Sequence, residues 1–471
     1  MELDKDLQAR QEARALAKQA EAAQQILLRM EQSQLDQIVE AIARAFSKAA
    51  VELAELAVHE TGFGNVEDKT RKNEFASKDV ARAVRHMKTV GVLKEDTEEK
   101  LWEVGVPVGV ICGIVPSTNP TSTVCYKAMI ALKAGNSIVF SPHPKALMCT
   151  LRATQIVAQA AREAGAPEGA VSCLSFGAMA GCQELMAAPQ VRLILATGGP
   201  AMVKSAYSSG KPAIGVGAGN GPAYIHPTAD IPKALQDILR SKTFDNGTVC
   251  ASEQSIIIER KLEKQVRQTA EGMGYYFMDT QQANQLAKHL FRPTGALNPA
   301  VVGRSATHLA QMAGFAVPKD TKILVAREEE AGPTRPYSME KLCPVLAFYV
   351  MDSEDAVLNK VMQVLSHEGS GHTFSIHAQD QAVVRKFALQ VPVSRFLVNT
   401  PSALGGIGAE TGLFPALTLG CGAIGGSSSS NNISPMDLIN IRRVAWGKET
   451  HPCCDESLVD ILTARILERL K

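Results

Sequence analysis

The feature that most restricts how this chain can fold is an alternation of short β-branched runs with longer helical stretches. From Leu101 the texture turns to Val, Ile and Gly. The runs are Val104-Gly105-Val106-Pro107-Val108-Gly109-Val110-Ile111, then Ser137-Ile138-Val139-Phe140, then Arg192-Leu193-Ile194-Leu195-Ala196. Helical stretches at 121–134 and 146–165 lie between and after them. Strands that alternate with helices of this length need crossover connections, which predicts a parallel sheet and an α/β domain. A second set of runs follows at Ser255 to Ile258, Lys322 to Val325, Val345 to Val350, Thr373 to Ile376 and Arg395 to Val398. These alternate with helical segments near 261–272, 281–290, 353–365 and 379–390, which predicts a second α/β domain. No internal repeat is evident.

The two ends read differently. Residues 7 to 60 are rich in Ala, Gln, Glu, Leu and Lys, with Leu35, Ile38, Ile42 and Phe46 at helical spacing, so long helices are expected there. Ser427 to Asn432 form a polar loop, Asp437 to Trp446 read as a strand, and 447–456 as a linker. Ser457 to Lys471 form an isolated amphipathic helix, with Val459, Leu462, Ile466 and Leu470 on one face and Leu458 and Ile461 beside it. A segment this short is marginal as a free helix, so its apolar face calls for a partner.

At 471 residues the chain exceeds one ordinary core, and two or three domains are expected. A formal net charge of +1 offers no basic face, which argues against a nucleic-acid partner. The apolar run Val104 to Val115 is short and broken by Pro107, and the charged start Met1-Glu2-Leu3-Asp4-Lys5-Asp6 does not resemble a secretory leader. Neither a membrane span nor export is therefore expected. The 10 cysteines have no regular spacing, which fits a reducing compartment rather than a disulfide framework. Cys453-Cys454 has no second Cys/His pair at zinc spacing, so no metal site is expected.

Chemistry concentrates at Asn246-Gly247-Thr248-Val249-Cys250-Ala251-Ser252. The sequence places Cys250 directly behind an Asn-Gly turn, where a new element begins. A thiol there is expected to meet free backbone N–H groups and the positive end of a helix dipole, which lower its pKa. Two upstream segments accompany it. Asn119, in Pro116-Ser117-Thr118-Asn119-Pro120, offers a carboxamide that can donate to an oxygen gaining charge, or can simply cap a turn. Gly198 and Gly199 follow the run 193–196 and precede a helical segment at 201–208, a turn suited to a phosphate or ribose contact or merely to chain reversal. A G-x-G-x-x-G match at Gly420, Gly422 and Gly425 leads into the Ser/Asn loop rather than a helix, so it is not read as a dinucleotide site.

Together these segments resemble the aldehyde dehydrogenase superfamily, from about residue 20 to 446. The resemblance implies a fold of two Rossmann-like α/β domains plus a small β oligomerisation element. It assigns 1–100 and 109–240 to a dinucleotide- and CoA-binding domain and 241–425 to a catalytic domain. Oligomerisation strands fall at 101–108 and 433–446, giving a homodimer or homotetramer. It makes Cys250 the nucleophile, Asn119 the oxyanion donor, and Pro116, Ser117, Thr118, Thr197, Gly198, Gly199, Gly217 and Gly219 part of the cofactor cleft. In Glu340-Lys341-Leu342-Cys343-Pro344-Val345, Glu340 is implied to contact the nicotinamide ribose, with Pro344 in the same segment.

Departures from the pattern narrow the reading. Hydrolytic members carry a Glu before Leu-Gly-Gly as the base for a deacylating water; here Val216, in Ala213-Ile214-Gly215-Val216-Gly217-Ala218-Gly219, stands about at that place. Ser141-Pro142-His143-Pro144 occupies the site of their Lys-Pro pair. The pattern is similar to CoA-acylating aldehyde dehydrogenases, those for acetaldehyde and propionaldehyde in bacterial microcompartments in particular. It implies NAD as cofactor, coenzyme A as co-substrate and a thioester on Cys250. His372 is a candidate base for the CoA thiol or a hydrogen-bonded structural histidine, and Ser402 a candidate aldehyde-pocket residue or a strand-end turn. The tail at 457–471 resembles an encapsulation peptide that binds a shell protein, which implies a bacterial cytoplasmic enzyme inside a microcompartment; the alternative is a helix packed on its own oligomer. Phosphate-dependent oxidation or acyl-phosphate reduction on the same fold, and an inactive shell-binding scaffold, are the competing readings.

Overall fold

The structure, a computed structural model, describes residues 4–448 and 456–470. Fifteen strands form three sheets among the described residues. The first α/β unit holds β3 (Val110–Ile114), β4 (Ile138–Ser141), β5 (Val171–Cys173), β6 (Val191–Ala196) and β7 (Ala213–Gly215), all parallel in the order β5-β4-β3-β6-β7. The second holds β8 (Gly221–Ile225), β9 (Glu253–Glu259), β10 (Tyr275–Phe277), β11 (Ile323–Arg327), β12 (Val345–Met351), β13 (Gly371–His377) and β14 (Val393–Val398). They too are parallel, in the order β10-β11-β12-β9-β8-β13-β14. A small antiparallel sheet, β1-β2-β15, joins β1 (Gly91–Asp96) and β2 (Leu101–Pro107) to β15 (Ile439–Ala445).

The apolar runs are long because helices cover both sheet faces. β3 and β4 are buried at every position, as parallel strands under crossover helices must be. On one face the helix Gln32–Lys48 inserts Leu35, Ile38, Ile42 and Phe46, each fully buried, against the wholly buried helix Pro120–Lys133. The opposite face takes Ala13, Ala17 and Ala20 of the helix Lys5–Leu27, packed with Val110, Val139 and Ile194. Small side chains there let the helix lie close to the sheet.

Two boundaries differ from the expectation: β1, which falls within the 1–100 assigned to the cofactor half, is a strand of the small antiparallel sheet, and the cofactor half also ends earlier. The sequence reading assigns 109–240 to the cofactor half, yet β8 pairs with β9 and β13 in the seven-stranded sheet. The helix that follows, Ile231–Thr243, buries Ile231, Leu235 and Ile238 in one cluster with Ile256, Ile258 and Ile323. The second unit therefore begins near Gly221. Pro222 disguises the strand, since proline lacks a ladder donor; the β8–β9 register shifts between Gly221 and Pro222 to accommodate it.

β15 lies at the edge of its sheet, with Ile441, Val444 and Trp446 well exposed. The tail forms the helix Glu456–Arg469, and Leu458, Val459, Ile461, Leu462, Ile466 and Leu467 along it are all exposed. Most of the expected linker, with Cys453 and Cys454, lies outside the described residues. Because these apolar side chains cover no core, deleting 456–471 is expected to leave the thermal unfolding midpoint within about 2 °C of the full chain. A fall of several degrees in a calorimetric scan would show that the helix packs on the body.

Candidate active site

The five-stranded sheet reverses its direction of winding between β3 and β6, and the crevice outside the carboxyl ends of such strands is where α/β sheets bind ligands. β3 delivers Pro116-Ser117-Thr118-Asn119, ending at Pro120 in the first turn of the helix Pro120–Lys133. β6 delivers Thr197-Gly198-Gly199 to the helix Pro200–Tyr207, and β4 delivers Ser141-Pro142-His143. These separate stretches of sequence meet in two adjoining clefts. One, of ≈ 480 Å³, is lined by Pro116, Ser117, Thr118, Asn119, His143, Thr197, Gly198, Gly199, Val216, Gly217, Cys250 and Glu340. The other, of ≈ 720 Å³, shares Pro116, His143 and 197–200 with it and adds Ser141, Pro142, Met179 and Met202.

Cys250 reaches this cleft on a strained loop. After the helix Ile231–Thr243 the chain turns through Phe244–Gly247, in which Asp245 (φ 50°), Asn246 (φ 51°) and Gly247 (φ 78°) are all left-handed. That conformation costs an L-residue roughly 1–2 kcal/mol, least for Asn and Asp. Here it is held from all sides. The Asp245 carboxylate accepts from Lys69 Nζ (2.9 Å), Lys72 Nζ (2.5 Å), the Thr248 hydroxyl (2.6 Å) and the Asn65 N–H (3.0 Å). The Asp245 N–H donates to Asp68 (2.8 Å), and the Asn246 carboxamide donates to the Gly303 carbonyl (3.0 Å).

The electrostatics correct one expectation. No helix follows Cys250; the β-branched residues after it form β9 instead, so no helix dipole acts on the thiol. Burial pushes the thiol up to about 12, with Glu340 and Cys421 adding to the rise and Arg395 opposing it. Arg395 went unnoticed in the sequence. It is buried without a carboxylate partner, and its guanidinium donates to the carbonyls of Gly420 (2.6 Å) and Gly371 (3.4 Å). Glu340 accepts from the Gly219 N–H (2.9 Å), and burial, then the charge of Glu368, raises its carboxyl to about 8.

Other predicted residues sit off the cleft surface. His372 is fully buried; its Nδ1 lies 2.8 Å from the Thr373 hydroxyl, and its Nε2 has no partner. Burial, then Arg395, holds it well below the ordinary histidine range, so it is neutral. It stands behind Gly219: a Cβ on that glycine would come within 3.1 Å of the His372 ring and 1.8 Å of the Cys250 carbonyl. Ser402 is also buried, its N–H donating to Glu253 (2.9 Å), because β9 carries that carboxylate inward. The Pro344 carbonyl serves the sheet ladder by accepting from Leu324 (3.0 Å). Gly420 to Gly426 form a loop with a single 3₁₀ turn, not a phosphate-binding helix start.

The donor set fits a nicotinamide dinucleotide. Glu340 is the single carboxylate among the cleft residues, and Lys145 and Arg292 are the cations available to phosphate groups. Ser141, Pro142, His143 and 197–200 would hold the nucleotide, with Glu340 near the reacting end.

Comparison with known proteins agrees. A profile of the aldehyde dehydrogenase family matches residues 5–275. The bifunctional aldehyde-alcohol dehydrogenase AdhE of Escherichia coli is 45% identical over 92% of the chain, which spans 49% of that protein. The chain thus spans about half the length of such relatives. The acetylating succinate-semialdehyde dehydrogenase of Clostridium kluyveri is 34% identical over 92% of this chain and 95% of its own. An acetylating aldehyde dehydrogenase from Geobacillus thermoglucosidasius superposes with a TM-score of 0.93 at 48% identity, covering 95% of this chain and 99% of that one. A propionaldehyde dehydrogenase from Rhodopseudomonas palustris, solved with bound CoA and an acylated cysteine, gives 0.83 at 29% identity, covering 92% and 97%. Another, from a fucose-utilisation microcompartment of Clostridium phytofermentans, gives 0.83 at 28% identity, covering 91% and 96%.

Because burial keeps the Cys250 thiol protonated near neutrality, its alkylation by iodoacetamide is expected to quicken about tenfold per pH unit between pH 7 and 9. A rate already level below pH 8, read by peptide mapping, would mean that the resting thiol is ionised.

Proposed function

The chain belongs to the aldehyde dehydrogenase family, and on that premise we propose that it oxidises a short aldehyde, propionaldehyde or acetaldehyde, to its acyl-CoA with NAD. The observation that carries the reading is Val216. It is buried, it lines the Cys250 cleft, and it has no group that can activate water.

The residues divide the work. Cys250 gives its thiol proton to solvent, the thiolate sulfur bonds to the aldehyde carbon, and the carbonyl π electrons move onto oxygen. The Asn119 carboxamide and the Cys250 N–H donate to that oxyanion, which costs no reorganisation at the moment of reaction. A nicotinamide held by 197–199 and Glu340 would supply the hydride acceptor; loss of hydride from the hemithioacetal carbon and return of the oxyanion electrons to C=O leave a thioester on Cys250. Apolar Val216 then leaves water unactivated. A thiolate needs no such help: CoA sulfur adds to the thioester carbon, the C–S bond to Cys250 breaks, and Cys250 leaves as thiolate. Asn119 serves both additions, since each places charge on the same oxygen.

Assembly and address belong to the same reading. The exposed edge strand β15 pairs with a second copy to give a homodimer or homotetramer. The exposed apolar face of the tail helix docks on a microcompartment shell protein, a reading supported by a relative that comes from a microcompartment.

Aldehyde-dependent NADH formation is expected with CoA as acyl acceptor and at least about 10²-fold slower with phosphate or water alone. Equal rates with phosphate or without any acceptor would reject the acyl-CoA reading. Deleting 457–471 is expected to leave turnover intact and abolish co-purification with shells; unchanged co-purification would reject the tail assignment.

A further inference from the structure

The charged cluster behind Cys250 does more than fold the loop. Lys72 Nζ donates to the Asn119 side-chain oxygen (2.6 Å), to Asp245 (2.5 Å) and to the Thr248 hydroxyl (3.1 Å), with the Thr248 carbonyl at 3.4 Å. Lys69, one turn earlier on the helix Val66–Glu74, donates to the same Asp245 oxygen (2.9 Å) and to the Thr118 carbonyl (2.8 Å). Both lysines and Asp245 are buried. Two ammonium groups thus share one carboxylate, and the surplus positive charge is spent on the oxygen end of the Asn119 amide.

That arrangement has a chemical consequence. A carboxamide held at its oxygen by a cation can only present its NH₂ elsewhere, and its N–H bonds become better donors as the carbonyl is polarised. The Asn119 NH₂ has weak company at rest, with the Thr248 carbonyl and the Thr118 hydroxyl both at 3.3 Å. It therefore gives up little when an oxyanion forms. Burial lowers Lys72 to about 8, while Asp245 opposes the fall, so the ammonium keeps its proton at neutral pH.

We propose that Lys72 is a positioning residue of the oxyanion hole, orienting and polarising the Asn119 carboxamide while tying it to the nucleophile loop. The inference rests on the reading of Cys250 and Asn119 as nucleophile and oxyanion donor.

A double-mutant cycle on the full chain tests it. Asn119→Ala is expected to lower aldehyde oxidation ~10²-fold. Lys72→Met removes the cation while Lys69 still neutralises Asp245, and is expected to lower kcat by roughly 10-fold or more. Added to Asn119→Ala, Lys72→Met should cost no more than about twofold further, since its effect runs through the missing amide. Alkylation of Cys250 by iodoacetamide, which forms no oxyanion, should stay at the parent rate in Lys72→Met. Independent multiplying losses, a parallel fall in alkylation, or no loss at all in Lys72→Met would overturn the inference. If Lys72→Met does not fold, Lys72→Gln supplies the same comparisons. No loss in Asn119→Ala would instead overturn the reading of that residue, and the inference with it.

Discussion

One carboxylate oxygen, on Asp245, receives two buried ammonium groups, and the rest of the site depends on it. Buried charges repay their desolvation only when geometry and hydrogen bonding are good, and removing one partner of such a pair costs roughly 3–5 kcal/mol. Here the outlay secures three things at once. It closes a left-handed turn at Asp245-Asn246-Gly247 that isolated chains would avoid. It fixes Thr248, two residues before Cys250, through both hydroxyl and carbonyl. It anchors the 116–120 segment of the first α/β unit to the nucleophile loop of the second through Thr118 and Asn119. Cys250 and Asn119 line one cleft but follow from elements of different sheets, so a fastening of this kind is what registers them.

Burial then sets the chemistry. A thiol pushed up by desolvation, with Glu340 adding to the rise, is quiet at rest, and the unpaired charge of buried Arg395 is the group that opposes it. Val216 lines the same cleft wall as Cys250, and its apolar side chain cannot itself draw a proton from water.

Much of this was legible in the residues because it obeys local rules. Alternating apolar runs and helical stretches located the principal parallel strands, and β-branched Ile256-Ile257-Ile258 forecast β9 correctly. Cys250, Asn119, Thr197-Gly198-Gly199 and Glu340 do converge on one cleft. What escaped is non-local. Val66 to Glu74 reads as an ordinary charged surface helix, and nothing in its spacing says that Lys69 and Lys72 are buried. Arg395 lies in a run of apolar residues whose partners are carbonyls from distant loops. β8 was hidden by Pro222, and the helix dipole expected at Cys250 gave way to a strand because the residues after it are strand formers.

The most direct test is the covalent intermediate itself. Incubated with propionaldehyde and NAD in the absence of CoA, the protein should gain the mass of one propionyl group, mapped to the Cys250 peptide, and lose it when CoA is added. An unmodified Cys250 under turnover conditions, or an adduct that CoA cannot discharge, would contradict the account.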